Sequence, residues 1–139
     1  MNIDLRVLSN FPQMHDGRII SIIITDDKIV MCIDNSKSEK WEYMRSDNTT
    51  ITFSGSSKMG YSICFLMYEY KKNLSIRGKE YDEDEFIKYY NKKKMQIEII
   101  DMLYMCGKIM IKGKTILNQE YKKYILIEIE ADNMSFEHI

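Results

Sequence analysis

Two histidines stand among 139 residues, His15 and the penultimate His138. His15 is followed by Asp16, and a neutral imidazole beside a carboxylate is the raw material of a general base or a metal site. Neighbours on extended backbone point to opposite faces, however. A metal would need further ligands, for which Asp26, Asp27 and Asp34 are the nearest carboxylates in sequence. The plainer reading is structural. Asp16 takes backbone N–H groups at the start of a strand, Gly17 allows a bend, and His15 hydrogen-bonds in the loop. Serine catalysis needs a base, and two histidines are a thin supply. No GxSxG, HExxH or zinc-deaminase pattern occurs.

The second cluster is Asp82-Glu83-Asp84-Glu85. Calcium loops space their ligands at alternate positions around a glycine bend and end in a glutamate. This run lacks that spacing and reads as a capped helix start, or as an acidic patch for a basic partner. Lys92-Lys93-Lys94, with Lys71, Lys72 and nearby tyrosines, could contact phosphates while rings stack on bases. With a net charge of −1 and no RNA- or DNA-reading signature, nucleic acid is not the expected partner. The stretch Ser54-Gly55-Ser56-Ser57-Lys58-Met59-Gly60 is glycine- and serine-rich but lacks the GxxxxGK[ST] spacing of a phosphate loop, and reads as a polar connection. Cys32, Cys64 and Cys106 are odd in number and widely spaced, without a CxxC pair. They read as reduced, mostly buried thiols, with neither a metal nor a cofactor implied.

These groups must be positioned by strands. From 18 to 25 the chain is rich in isoleucine, whose branched Cβ favours a pleated backbone. Asp26-Asp27 then makes a short turn, and 28–34 alternates, with Ile29, Met31 and Ile33 on one face and Val30 and Cys32 on the other. Further strands are expected near 3–7, 41–43, 50–53, 61–70, 74–76, 95–105, 108–115 and 121–131. In the last of these, Ile125, Ile127 and Ile129 face inward while Glu128 and Glu130 face out. Cys106-Gly107-Lys108 reads as a hairpin turn with glycine at the position needing positive φ. One helix is expected, over about 82–94. Asp82 caps it, Glu85 sits three residues on as in a capping box, and Lys92 to Lys94 complement the dipole at its end. The sum is seven to nine strands and one helix in a single domain, 1–139. The fold class is α+β, mostly β: an antiparallel sheet, sandwich or partial barrel, since short links favour antiparallel pairing. No run of about 18–20 apolar residues suggests a membrane span. With no secretory signal pattern at the N-terminus, a cytoplasmic location is expected.

The segment Phe11, His15-Asp16-Gly17, Arg18-Ile19, Ile22, then Ile29, Met31 and Ile33, resembles a pattern in small bacterial β-rich proteins. These include uncharacterised domains and immunity proteins of bacterial toxin systems. The resemblance implies a protein that binds and blocks a cognate toxin and has no catalytic activity. The expectation is therefore a non-enzymatic binding module, an immunity-type or phage-encoded inhibitor that occludes a toxin or effector. His15 and Asp16 are its candidate motif residues. Tyr81, Asp82, Asp84, Glu85, Tyr89 and Tyr90 are candidate contacts, because aromatic residues concentrate interface energy; core packing is the alternative for the tyrosines. A small-molecule or nucleotide-binding β-barrel-like domain is the alternative function, and homodimer formation through apolar strands such as 61–70 stays open.

Overall fold

The computed structural model describes residues 2–4, 16–36, 48–55, 62–70, 75–105 and 107–138. His15, Trp41, Tyr43, Lys71, Lys72, Cys106 and the serine-rich stretch 56–60 lie outside the described residues. Among the described residues there are ten strands: β1 (Asn2–Asp4), β2 (Arg18–Ile24), β3 (Lys28–Asp34), β4 (Asn48–Ser54), β5 (Ser62–Tyr70), β6 (Ile76–Tyr81), β7 (Gln96–Met105), β8 (Lys108–Leu117), β9 (Glu120–Glu130) and β10 (Asn133–His138). They form one open sheet in the order β1-β10-β4-β3-β2-β7-β8-β9-β5-β6, antiparallel throughout. The α+β, mostly β class holds. The strand count exceeds the expected seven to nine, partly because β10 lies beyond the last strand expected from the sequence.

Local chemistry explains the hairpins. The β2–β3 turn closes with the Thr25 N–H donating to the Lys28 carbonyl at 2.9 Å, and the Thr25 hydroxyl donates to Asp27 at 2.9 Å. Gly107 turns β7 into β8 at φ 71°, where a side chain would be strained. In β8, Gly113 serves a different need. A Cβ there would lie 2.7 Å from the Glu98 carbonyl oxygen and from Ile97, so only glycine lets β7 approach this closely.

The sheet is in effect two halves. β2 pairs with β3 along most of its length but meets β7 only at Arg18–Glu98 and Ile19–Ile97. Register shifts flank this seam, between Ile19 and Ser21 and between Ile99 and Asp101. Bulges bend strands and increase twist, so the seam is where the sheet turns. One core is shared by both halves: Ile29, Met31, Ile33, Ile51 and Phe53 from one, Phe65, Ile97, Ile109, Ile111 and Ile127 from the other, all fully buried.

The helix α1 (Glu83–Lys93) spans that curvature. It begins as expected, with the Glu85 N–H donating to Asp82 Oδ1 at 2.8 Å. Lys94 ends it in the left-handed conformation, and the Met95 N–H donates to the Tyr90 carbonyl at 3.2 Å. Phe86 and Tyr90, four residues apart on one face, are its buried side chains. Phe86 stacks on Phe65 of β5 with centroids 3.7 Å apart, while the Tyr90 hydroxyl donates to the Ile19 carbonyl of β2 at 3.4 Å. In a flat sheet β5 and β2 would be about 19 Å apart at ~4.8 Å per strand. A single helical turn of about 5.4 Å reaches both, so the sheet curls around the helix.

Removing that strut should be costly. Phe86→Ala is expected to lower the unfolding free energy by about 3–5 kcal/mol, as for other buried aromatic truncations. Asp82→Ala should cost only about 1 kcal/mol, the value of an N-cap. Urea unfolding of both variants checks the ratio; equal losses would show that the Phe65–Phe86 stack does not anchor the helix.

Candidate functional site

Asp16, two residues before β2, is in a strained conformation, at φ 66°. Its N–H donates to the Ile99 carbonyl at 2.8 Å, and the Ile99 N–H donates to the Gly17 carbonyl at 2.8 Å. Two residues thus face one, which is a β-bulge with its left-handed residue at the first position. Aspartate tolerates that region better than most side chains. The bend therefore sits at Asp16 and not at Gly17, correcting the expectation from sequence. Asp16 is half-buried and tied to the β2–β7 seam. That is five strands from β6 in the sheet order, so it does not join the acidic cluster.

The acidic and aromatic candidates do come together, where β6 runs into α1. Asp82, Glu83, Asp84 and Glu85 are all exposed around the first helical turn. Tyr81, the last residue of β6, lies with its ring centroid 5.9 Å from Tyr89 and 6.4 Å from Phe86. Both Tyr81 and Tyr89 are half-buried. Lys79 connects the two kinds of group: its ammonium lies 4.6 Å over the Tyr81 ring and 3.7 Å from the Glu85 carboxylate. Tyr90 differs. It is only 4% exposed, and burial pushes its phenol well above the ordinary tyrosine range. Tyr90 is a core residue and cannot serve as a surface contact.

Beside this corner lies a cavity of about 370 Å³, lined by Met67 and Glu69 of β5, Arg77, Gly78, Lys79 and Tyr81 of β6, and Lys123 of β9. Neither Arg77 nor Lys123 was singled out by sequence. The available signal was the alternation in Ile76–Tyr81, which sends Arg77, Lys79 and Tyr81 to one face.

The opposite face of the sheet carries a second set of polar and aromatic side chains. Tyr68 stacks on Tyr124 at 5.4 Å, and Tyr70 meets both rings edge-on. Lys112 and Lys114 lie 5.9 and 5.6 Å from the Tyr124 ring. Farther along the same strands, the Cys64 thiol donates to Glu128 Oε2 at 3.6 Å, and Glu128 Oε1 accepts from Lys108 at 2.8 Å. Cys64 is exposed rather than buried, contrary to the expectation for the cysteines. Among the described residues, no group of three or more His, Cys, Asp or Glu gathers in the manner of a metal site, and no helix is long and apolar enough to cross a membrane.

No known protein family, curated protein or solved structure matches this chain.

Partial desolvation and then the Glu128 hydrogen bond push the Cys64 thiol above its ordinary range, while Lys108 holds the Glu128 carboxyl below its own. A raised thiol value favours the neutral form in the folded state. That contribution is complete below the unfolded value and fades as pH rises past the folded one. The Glu128 contribution runs the other way: it is present above the unfolded carboxylate value and is lost as pH falls. Alkylation requires the thiolate, so at pH 8 Cys64 should react more slowly than a free thiol. Glu128→Gln replaces the carboxylate by a neutral, weaker acceptor and releases Lys108, and should speed the reaction about two- to tenfold. Mass-resolved labelling by iodoacetamide reads this directly; an unchanged rate would mean that Glu128 does not govern the thiol.

Proposed function

We propose that this chain is a non-catalytic protein-binding module that occludes its partner, an inhibitor of the immunity or phage-encoded type. Its contact surface is the corner where β6 meets α1. The observation that carries this reading is the Tyr81–Tyr89 pair, half-exposed and 5.9 Å apart, with Tyr81 edge-on to the buried Phe86. Tyrosines held by a rigid support lose little side-chain entropy on binding, which is why they recur as interface anchors. Around them the carboxylates of Asp82, Glu83, Asp84 and Glu85 supply negative potential for steering a basic surface. The partner is accordingly a protein with a basic patch around an apolar recess. A cytoplasmic setting suits the reduced thiols of Cys32 and Cys64.

Asp16 has a supporting role in this reading. Its bulge fixes the β2–β7 seam, and the seam sets the curvature that α1 spans.

The test is affinity capture from host lysate with the wild-type chain and two variants. The wild type should retain one near-stoichiometric protein. Tyr81→Ala combined with Tyr89→Ala should weaken that complex by about 2 kcal/mol or more, roughly 30-fold. Asp84→Lys should mainly slow association, and the effect should shrink at high salt. Lys114→Ala, on the other face of the sheet, should leave binding intact. Retention of the same partner by the double tyrosine variant would overturn this reading.

A further inference from the structure

The cavity beside the β6–α1 corner has a charge imbalance that partner docking does not explain. Arg77, Lys79 and Lys123 contribute three cations to its lining against the single carboxylate of Glu69. Strand register makes this a designed face. Lys79 stands opposite Met67 and Arg77 opposite Glu69 across the β5–β6 ladder, and Lys123 enters from β9 on the other side of β5. Lys79 has a counter-charge in Glu85 at 3.7 Å. Among the described residues, neither Arg77 nor Lys123 is in an ion pair. Glu69 on β5 stands between Arg77 on β6 and Lys123 on β9, so this row carries two cations for one carboxylate, and an added anion would balance the second.

The site is also held in place. The Lys123 N–H donates to the Thr115 hydroxyl oxygen at 3.0 Å, and that hydroxyl donates to the Lys123 carbonyl at 3.3 Å. These bonds fix the Lys123 backbone where β8 and β9 shift register, between Lys114 and Ile116. Met67 gives the cavity an apolar side chain that is almost fully buried. Tyr81 gives it a ring, over which Lys79 now sits at 4.6 Å.

We propose that this cavity binds a small phosphorylated molecule of mononucleotide size. Arg77 and Lys123 hold the phosphate, the guanidinium offering its paired donors and the ammonium a point charge. The ligand's ring lies against Tyr81, as aromatic side chains receive bases, and Lys79 swings from the ring to the phosphate. A volume of about 370 Å³ is at the small end of ligand pockets, which suits a mononucleotide and excludes a dinucleotide cofactor.

Isothermal titration of the full chain with 5′-AMP, adenosine and inorganic pyrophosphate tests this. The expected result is saturable 5′-AMP binding with a dissociation constant below about 1 mM, no measurable adenosine binding, and weaker pyrophosphate binding. The double variant Arg77→Gln, Lys123→Gln should lose at least tenfold in 5′-AMP affinity while its thermal midpoint without ligand changes little, since both side chains are exposed. Wild-type protein should gain thermal stability with 5′-AMP, and the variant should not. The proposal is overturned if 5′-AMP fails to saturate, if adenosine binds equally well, or if the double variant keeps its affinity. Pyrophosphate binding as tight as that of 5′-AMP overturns the ring contact and with it the nucleotide assignment. Tyr89 and Asp84 stay intact in the variant, so the outcome is independent of whether the corner docks a protein.

Discussion

The stack of Phe86 on Phe65 is the interaction on which the rest of this molecule depends. At 3.7 Å between centroids and nearly parallel, it fixes the helix against β5. From that contact the helix reaches Ile19 through Tyr90, orients Tyr81 and Tyr89, and places four carboxylates at the end of an edge strand. Every group in the candidate interface is therefore referred to one buried aromatic pair. The cavity beside it shares Tyr81 and Lys79 with that arrangement, so its shape also follows from where the helix sits.

The second constraint is the seam. Ten antiparallel strands in one layer would leave an apolar face far too large for an eleven-residue helix to cover. The chain resolves this with short β2–β7 pairing and bulges on both of those strands. Asp16 in a left-handed conformation and Gly113 beneath Glu98 are local costs that make this close approach possible. The sequence cluster that first drew attention as chemistry is thus explained, at Asp16, as architecture.

Much of this was legible from residue patterns. The period-two alternation of Ile125, Ile127 and Ile129 gave β9 its buried face, and the Asp82 cap and its following stripe gave the helix to within a residue or two. Gly107 stood where a hairpin needs positive φ. Helical phase also held an unread answer: Tyr90 follows Phe86 by four residues and shares its buried face, whereas Tyr89 lies to the side. Strand β10 offered only Met134 and Phe136 as apolar positions, too short an alternation to stand out. Strand order was not legible, because β10 beside β4 and β5 beside β9 are set by shape matching across the chain and not by any local signal. The basic cavity was hidden for the same reason: Lys123 reaches Arg77 only once β9 and β6 flank β5.

The same topology sets a schedule. β2, β3 and β4 form a local meander, but β2's other neighbour, β7, comes only after β5, β6 and the helix, and β10 comes last of all. A ribosome adds about 5–20 residues per second. For several seconds, then, the nascent chain holds a three-stranded ribbon bearing Ile29, Met31, Ile33, Ile51 and Phe53 with nothing to lay against them. Distant pairings of this kind make folding slow. The nascent ribbon is the interval in which this protein is most open to mispairing with another copy or to capture by a chaperone.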